Sequence, residues 1–336
     1  MWEVIENNKR KSIFAIILMI ILFGMFGGAV GAYIDPEPTF IAIMSGIFCA
    51  VFPLILFFNI KNNTNFSNNP NMHKITANNS PKLYNIIEEI TIAAGLEKIP
   101  DFYVLNSNIL NAYATGTSPK NATVVVSKAL IKLLNRDELQ GVIAHEISHI
   151  VNRDILYMIF AGTMVSVISV VSRIMIRSTF GSRRSSSKGS GGIIVILGLI
   201  FIILSPLFSY MFYMFLSRKR EYLADACAAQ FTRYPQALAN ALKKISEGNK
   251  NITFASDDEE NEKYYKDAFL NASYIIPLKK ETVGDGLFST HPATENRIRI
   301  LMNMAGTDYS DYNKAYKKVT GDKGLIPKSA MKNRKK

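Results

Sequence analysis

Residues 139–155 read LQGVIAHEISHIVNRDI, and this stretch contains two of the four histidines in a chain of 336 residues. On a helix, His145 and His149 lie four residues apart, so both imidazoles project from one face and can bind one metal ion. Glu146 follows the first histidine and is placed to take a proton from a water molecule beside that ion. The spacing therefore indicates a Zn²⁺ site on a helix.

The apolar residues on either side of this motif are concentrated in blocks, and they make up 48% of the chain. The charge-free runs 13–34 and 39–60 are each long enough, at about 1.5 Å per residue, to cross a hydrocarbon core of about 30 Å. Two more runs follow the motif: 155–172, at the short limit for a span, and 193–216. A cleaved signal peptide is an alternative for the first run, but its length and the immediate second run favour a retained anchor. We therefore predict a membrane protein with four transmembrane helices.

The distribution of basic residues predicts the topology, with one conflict. A basic segment at residues 9–11 precedes the first run and an acidic loop follows it, which places the N-terminus in the cytoplasm. Two crossings return the chain there, so the histidine motif is expected on the cytoplasmic face of the cell membrane. The loop 173–192 is also basic, although a four-span model places it outside. Either runs three and four cross against the positive-inside rule, or they form a hairpin that does not fully cross; their lengths favour crossing.

The net charge of +12 suggests a polyanionic partner. The basic residues gather beside the apolar runs and in the tail 328–336, and no nucleic-acid-binding module is recognisable. We therefore expect anionic lipid as a partner and no nucleic acid. The two cysteines, Cys49 and Cys227, fall in regions that the membrane model separates, so no structural disulfide is expected.

The segments between the second run and the motif carry helix and strand signals. Residues 62–71 are rich in asparagine and read as a linker, and folding is expected to resume at residue 80. Ser-Pro at 80–81 fits the start of a helix, and Gly95 fits its end. Asn135 and Glu138 form a capping pair that predicts the start of the histidine helix. Strands of a small sheet are expected at 102–105, 112–115 and 123–127.

A catalytic zinc site takes a third protein ligand and keeps one position for water. Glu221 is the candidate, because it follows the fourth run by five residues and two intervening spans would return it to the membrane face of the histidines. Asp225 lies one helical turn further on and can accept a hydrogen bond from a ligand imidazole. If the histidine helix continues through Asp154 into the third run, His149 lies about 9 Å from that run. Simple ion pairs with neighbouring basic residues remain the alternative for both carboxylates.

With these residues assembled, the chain resembles the HtpX-like membrane zinc metalloproteases, which are gluzincins related to the CAAX prenyl proteases. The resemblance covers most of the chain. Besides the N-terminal hairpin, its marks are Asn111 to Gly116, His145 to His149 with Asn152 and Asp154, Arg218 to Asp225, and Ser289 to Pro292 with Arg297. It implies an α+β protein, mainly α-helical with a small β-sheet in a zincin-type catalytic domain, carrying one Zn²⁺ per chain.

The resemblance also implies roles for individual residues. His145, His149 and Glu221 would bind zinc, Glu146 would be the catalytic base, and Asn152 would lie just outside the ligands. The strand edge formed by Asn111, Ala112, Tyr113 and Ala114 would bind the substrate, with tyrosine at 113 where phenylalanine is frequent.

Two more residues are implicated only through the resemblance. His291 would face the site and steady the oxyanion, and Arg297 would support it through an ion pair or a substrate contact. A simpler reading of residues 289–292 is a helix start with a capping hydroxyl and a proline in the first turn, and the two readings are compatible. Arg153 stands where a small residue is common, a departure that the sequence alone does not explain.

These expectations define a zinc-dependent endopeptidase that cleaves membrane proteins or unfolded polypeptides at the cytoplasmic face, as in protein quality control. A CAAX-type processing peptidase would share the site but enclose it in a larger cage of spanning helices. An inactive membrane scaffold is disfavoured by the complete set of ligands and base. A transporter with a fortuitous motif would need polar residues inside its spans, and the first two runs contain no charged ones.

The predicted organisation has five parts. The N-terminal transmembrane hairpin occupies 1–61, and 62–154 forms the first part of the cytoplasmic catalytic domain. The second hydrophobic hairpin occupies 155–216, and 217–327 completes the catalytic domain with the third ligand. A basic tail follows at 328–336.

Overall fold

A computed structural model describes residues 70–116, 118–154, 218–251 and 292–326, together with single positions within residues 10–55. The chain divides into two compact units, one formed by 1–9, 64–156 and 216–336 and the other by 10–63 and 157–215. The four apolar runs lie outside the described ranges except for those single positions. In the ranges that are described, no helix combines the length and apolar character needed to cross a membrane. The four spans and the five-part organisation therefore stay predictions.

The first unit contains a four-stranded mixed sheet. Its strands are β1 (Met72–Ile75), β2 (Asp101–Leu105), β3 (Ala112–Gly116) and β4 (Ala122–Ser127). The spatial order is β1-β2-β4-β3, so β3 lies at one edge. β2 and β4 are parallel, whereas β1 and β3 pair antiparallel with β2 and β4 respectively. The three strands expected from the sequence are confirmed to within one residue at each end.

The expectation that folding resumes only at Ser80 is wrong, because β1 precedes it. This strand has four residues, and only Ile75 is buried. A short edge strand of this kind lacks the alternation of apolar and polar residues that identifies a half-buried strand in a sequence. His73 is exposed on this strand.

Seven helices are described around this sheet. They are α1 (Pro81–Ala94), α2 (Lys128–Leu133), α3 (Arg136–Val151), α4 (helical at 218–232), α5 (Pro235–Asn251), α6 (Thr294–Met302) and α7 (Tyr309–Thr320). Pro81 is the first residue of α1, and Gly95 ends it in the left-handed conformation with a φ of 72°. The predicted bounds of this helix are confirmed. The protein is thus mainly α-helical with a small mixed sheet.

Helix α3 is central to the unit, because it packs against α1, α5 and β3. Twelve of its 16 residues are buried. Its start is the predicted capping box: Asn135 Oδ1 accepts from the backbone N–H of Glu138, and Glu138 accepts from the backbone N–H of Asn135. A cap of this kind stabilises a helix by about 1 kcal/mol. Glu138 also bonds Lys244 of α5 at 2.7 Å, which connects the start of α3 to its neighbour.

The end of α3 differs from the prediction. The helix stops at Val151, and Asn152 is its C-cap. Arg153 then has a φ of 58°, in the left-handed region, which interrupts the helical hydrogen-bond pattern. The helix is therefore not continuous into Ile155, and the distance of about 9 Å that assumed continuity does not hold.

Candidate metal centre

Two helices bring three metal-binding side chains together. His145 and His149 project from α3, and Glu221 projects from α4. The Nε2 atoms of the two histidines are 3.3 Å apart. Glu221 Oε2 lies 3.5 Å from Nε2 of His145, and Oε1 lies 3.5 Å from Nε2 of His149. The three potential ligand atoms thus converge on one point, within 4.8 Å of one another.

Each imidazole turns its other nitrogen toward an aspartate. Nδ1 of His145 lies 3.0 Å from Asp225 Oδ1. Nδ1 of His149 lies 3.2 Å from Asp154 Oδ2. Both aspartates are at least 97% buried, so their carboxylates are held in low-dielectric surroundings. No role was expected for Asp154 from the sequence, although its position just beyond the helix that carries His149 was a usable signal.

The protonation pattern of the two imidazoles shows that a cation fits between them and Glu221. In a neutral imidazole one nitrogen carries the proton, and the aspartate facing each Nδ1 favours a proton there. The two Nε2 atoms are then both acceptors, and they face each other and the Glu221 carboxylate. Three converging acceptors are stabilised together by a cation rather than by hydrogen bonds among themselves. Two imidazoles and a carboxylate are also the ligand set of a catalytic Zn²⁺ site.

The charges around the cluster lead to the same conclusion. Four carboxylates surround it, and two guanidinium groups face them; the residues are Glu146, Asp154, Glu221, Asp225, Arg220 and Arg297. With ionised carboxylates and neutral imidazoles, this set carries two negative charges. One divalent cation cancels that charge.

Arg297 of α6 is the side chain that holds the carboxylates in place. It is 1% exposed, and it donates to both oxygens of Asp225, from Nε and from Nη2, each at 2.8 Å. Its Nη1 lies 3.3 Å from Glu221 Oε2. A bidentate guanidinium fixes the plane of the carboxylate as well as its position. The structure therefore places Arg297 in a buried ion pair behind the ligands.

The pKa values of the histidines report the negative potential of the site. Burial lowers the pKa of His145, but hydrogen bonds to Asp225 and Glu221 outweigh it and raise the pKa to about 9. Burial also lowers the pKa of His149, but the hydrogen bond to Asp154 and the charge of Glu221 raise it overall. In both cases the surrounding carboxylates favour a positive charge on or between the imidazoles.

Glu146 lies in the same helix turn as His145 and is 3% exposed. Burial raises its pKa above the usual range for a glutamate, and the nearby basic groups only partly oppose this. A carboxylate with a raised pKa is a stronger proton acceptor when it is ionised, which suits a general base.

Asn152 lies just beyond α3 and is 1% exposed. Its Nδ2 is 3.6 Å from Sγ of Cys227 on α4, and that sulfur is 3.3 Å from the hydroxyl of Tyr309 on α7. Burial raises the pKa of the Cys227 thiol to about 11. Asn152 therefore contacts the helix that carries Glu221, and no hydrogen bond to the described ligand imidazoles is seen.

The predicted substrate segment lies on and beside the edge strand β3. Asn111 precedes the strand and is 6% exposed; its backbone N–H donates to Ser127 Oγ, and its carbonyl accepts from the backbone N–H of Ser127. Ala112 is fully buried, whereas Tyr113 and Ala114 are partly exposed. β3 pairs with β4 on one side and packs on α3, and within the described ranges no strand pairs with its other side.

His291 lies outside the described residues, which resume at residue 292. Its predicted place at the site is therefore still an expectation.

Comparison with known proteins assigns the family. The sequence model of peptidase family M48 matches residues 77–305, a range that includes all three candidate ligands. The chain belongs to peptidase family M48. Among the relatives of this M48 protein, the protease HtpX homologue of Dictyoglomus turgidum is 38% identical over 308 residues, covering 90% of this chain and 94% of that protein. The homologue of Listeria monocytogenes is 35% identical over 315 residues, covering 90% and 100% respectively. The resemblance to HtpX-like proteases drawn from the motifs is confirmed.

A solved structure shows that the fold is shared more widely. The crystal structure of Ste24p from S. mikatae matches the M48 protein with a TM-score of 0.50 at 20% sequence identity. The match covers 89% of this chain and 66% of that one. At this identity the likeness concerns the fold alone.

Proposed function

We propose that this M48 protein is a zinc-dependent endopeptidase that binds one Zn²⁺ per chain through His145, His149 and Glu221. The observation that carries the proposal is the convergence of three acceptor atoms from two imidazoles and a carboxylate. Each imidazole is oriented by a buried aspartate, as in metal sites whose ligand tautomer is fixed by a neighbouring carboxylate. Family membership supports the peptidase activity, and the donor set supports the metal.

A bound Zn²⁺ supplies a Lewis acid that polarises the scissile carbonyl and lowers the pKa of water. Glu146 accepts a proton from the attacking water and delivers it to the leaving amine, which requires no nucleophilic serine or cysteine. Arg297 and Asp225 keep His145 in the tautomer with the proton on Nδ1. His291 is the proposed donor to the oxyanion, and Arg297 supports the site through its ion pairs.

The substrate is proposed to bind as an extended strand along β3. β3 lies at one end of the strand order, and an edge strand can pair with an added polypeptide through backbone N–H and C=O groups, with little dependence on its side chains. β3 packs on α3, so a chain added at this edge would pass close to the helix that carries Glu146. Such binding suits varied, unfolded segments of membrane or misfolded proteins, which is the substrate class that we propose.

The enzyme is proposed to be a multi-pass protein of the cell membrane with its catalytic domain in the cytoplasm. The length of the apolar runs supports this location. The helical positions described in residues 10–55 support it too, because their isoleucines are 50–58% exposed; these are Ile17, Ile21, Ile43, Ile47 and Ile55. Ile17 and Ile21 in the first run are four residues apart, as are Ile43 and Ile47 in the second, so each pair lies on one face of its own helix, where lipid would cover it. The basic segments beside the runs are proposed to bind anionic lipid.

Metal analysis combined with a cleavage assay tests the proposal. We expect the full chain purified in detergent to contain about one zinc per chain and to cleave casein. A chelator should stop cleavage, and added Zn²⁺ should restore it. A protein free of zinc, or cleavage that survives removal of the metal, would contradict the proposal.

A further inference from the structure

Asp154 contacts an imidazole and a guanidinium group at the same time. Its Oδ2 lies 3.2 Å from Nδ1 of His149, and its Oδ1 accepts from Nη1 of Arg220 at 2.9 Å. The same guanidinium nitrogen lies 3.5 Å from the backbone oxygen of Asp154. The Asp154 side chain is 3% exposed and that of Arg220 is 13% exposed. The aspartate is thus a buried bridge between an imidazole and a guanidinium.

The other histidine has the same arrangement. His145 Nδ1 faces Asp225, and Asp225 is held by Arg297. Each histidine is therefore contacted by an aspartate, and each aspartate by an arginine, although the two sets of residues come from different elements. A buried carboxylate that faces only an imidazole could rotate away, whereas a guanidinium group bonded to it fixes its position.

The local backbone explains how Asp154 reaches His149 over only five residues. Beyond the C-cap of α3, Arg153 adopts a φ of 58°, and the turn directs Asp154 back toward the last helical turn. A continuing helix would place residue 154 about 140° around the axis from residue 149, away from its imidazole. The left-handed residue is therefore a condition for this contact.

The pair also joins two distant parts of the chain. Asp154 and Arg220 are 66 residues apart, and the third and fourth apolar runs lie between them. Arg220 immediately precedes Glu221, so one short segment supplies both a candidate metal ligand and the support of another ligand. The geometry at His149 thus depends on where the chain leaves and re-enters the first unit.

We propose that Asp154 and Arg220 are positioning residues for His149: Asp154 keeps the proton on Nδ1, so that Nε2 faces the metal, and Arg220 holds Asp154 in place. The contact between Asp154 and Arg220 also holds together, beside His149, the two positions that flank segment 155–219. This inference rests on the proposed zinc site and adds a role for two residues that the motif alone does not identify.

Zinc affinity of the purified full chain, measured by competition with a chromogenic chelator, tests the inference. Asp154→Ala should weaken binding about ten- to a hundredfold, the usual effect of removing such a support. Asp154→Asn should weaken it less, because the amide oxygen still accepts from Nδ1. Arg220→Gln should weaken it about as much as Asp154→Asn. Lys219→Gln, which removes a positive charge from the exposed neighbouring residue, is the matched control and should leave the affinity unchanged.

The exchange variant Asp154→Arg with Arg220→Asp separates positioning from simple fastening. It restores an ion pair between the two positions, but an arginine at 154 cannot accept the proton of His149 Nδ1. We expect the thermal midpoint of the exchange variant to lie closer to wild type than that of Asp154→Ala, while its zinc affinity stays low. The visible absorption of Co²⁺-loaded protein, which reports ligand geometry, should differ from wild type in the same variants.

The possible outcomes distinguish this inference from the proposed function. A wild-type chain that binds no zinc overturns the zinc site itself. A wild-type chain that binds zinc while Asp154→Ala keeps an affinity within twofold overturns only the positioning role. Recovery of full zinc affinity in the exchange variant would show that the ion pair merely fastens the segment. If Asp154→Ala does not fold, the exchange variant, which also lacks an acceptor at position 154, decides between the same outcomes: a zinc affinity within twofold of wild type overturns the positioning role.

Discussion

Among the single residues, Arg297 links two candidate ligands from different helices, His145 of α3 and Glu221 of α4. It contacts Asp225 behind His145 and also contacts Glu221 directly. Removing one partner of a buried ion pair costs about 3–5 kcal/mol, because the other charge stays buried without compensation. Substitution of Arg297 would therefore affect both folding and metal binding, and it is a poor test of either alone.

Glu221 and Asp225 offer a cleaner comparison. Glu221→Ala removes a ligand atom and should lower zinc occupancy strongly. Asp225→Ala removes the acceptor for His145 and should weaken zinc binding about ten- to a hundredfold without emptying the site. Metal analysis after dialysis against a graded series of zinc buffers measures both. Full occupancy in the Glu221 variant together with an empty site in the Asp225 variant would reverse the assignment of ligand and support.

The sequence predicted most residues of the site for a clear reason. His145, His149 and Glu146 lie within one short helical motif, and Asp225 lies one turn from Glu221. Local spacing is enough to relate residues of that kind. The Asp154–Arg220 contact could not be predicted in the same way, since it depends on a left-handed turn at Arg153 and on the meeting of segments 66 residues apart.

Among the helices and strands, the end of α3 decides where Asp154 lies relative to His149. Arg153 is a non-glycine residue in the left-handed region, which costs about 1 kcal/mol relative to a glycine there. This conformation gives a physical meaning to the small residue that is common at this position in the resembling family. Arg153, which stands where a small residue is common, therefore occupies a strained turn.

Arg153→Gly should therefore stabilise the protein. We expect its thermal midpoint to rise by about 2–4 °C, the shift that about 1 kcal/mol produces in a domain of this size. Lys243→Gly is the matched control, because it changes an exposed basic residue to glycine within helix α5 and should lower the midpoint. Scanning calorimetry or intrinsic fluorescence gives both values. A lower midpoint for Arg153→Gly would show that its side chain contributes more than its backbone costs.

Elements with strong local signals were predictable and those without them were not. The capping box at Asn135 and Glu138 and the glycine end of α1 fix helix bounds through local chemistry. β1 is held by pairing with β2, a contact with residues about 30 positions away, and its own four residues carry no pattern. The end of α3 is likewise hard to predict, because no glycine or proline stands at residues 152–154, where the backbone turns.

For the molecule as a whole, the basic loop between the third and fourth apolar runs distinguishes two topologies. Zinc binding requires His149 and Glu221 to meet, and both a four-span topology and a shallow cytoplasmic hairpin satisfy that requirement. The two topologies differ in the side of the membrane on which the loop lies. Ser186, in this loop and outside the described residues, distinguishes them.

A single cysteine at Ser186, with Cys49 and Cys227 replaced, should react with a membrane-impermeant thiol reagent added to whole cells. We expect labelling from outside because the fourth run is long enough to span and the third is just long enough with a small adjustment of the bilayer. A cysteine in the tail at Ser329 is the matched cytoplasmic control and should react only after the membrane is opened. If Ser186→Cys also reacts only then, the four-span topology is wrong, while the zinc site is unaffected.

The role of Glu146 as general base at a zinc site is tested by the zinc content and casein cleavage of Glu146→Gln beside wild type, both purified as full chains in detergent. Glutamine keeps the size of the side chain but cannot take a proton from water, and Glu146 is not one of the three converging ligands. We expect about one zinc per chain in both proteins and loss of cleavage in the variant alone. Cleavage by the variant at a rate near that of wild type would show that Glu146 is not the general base.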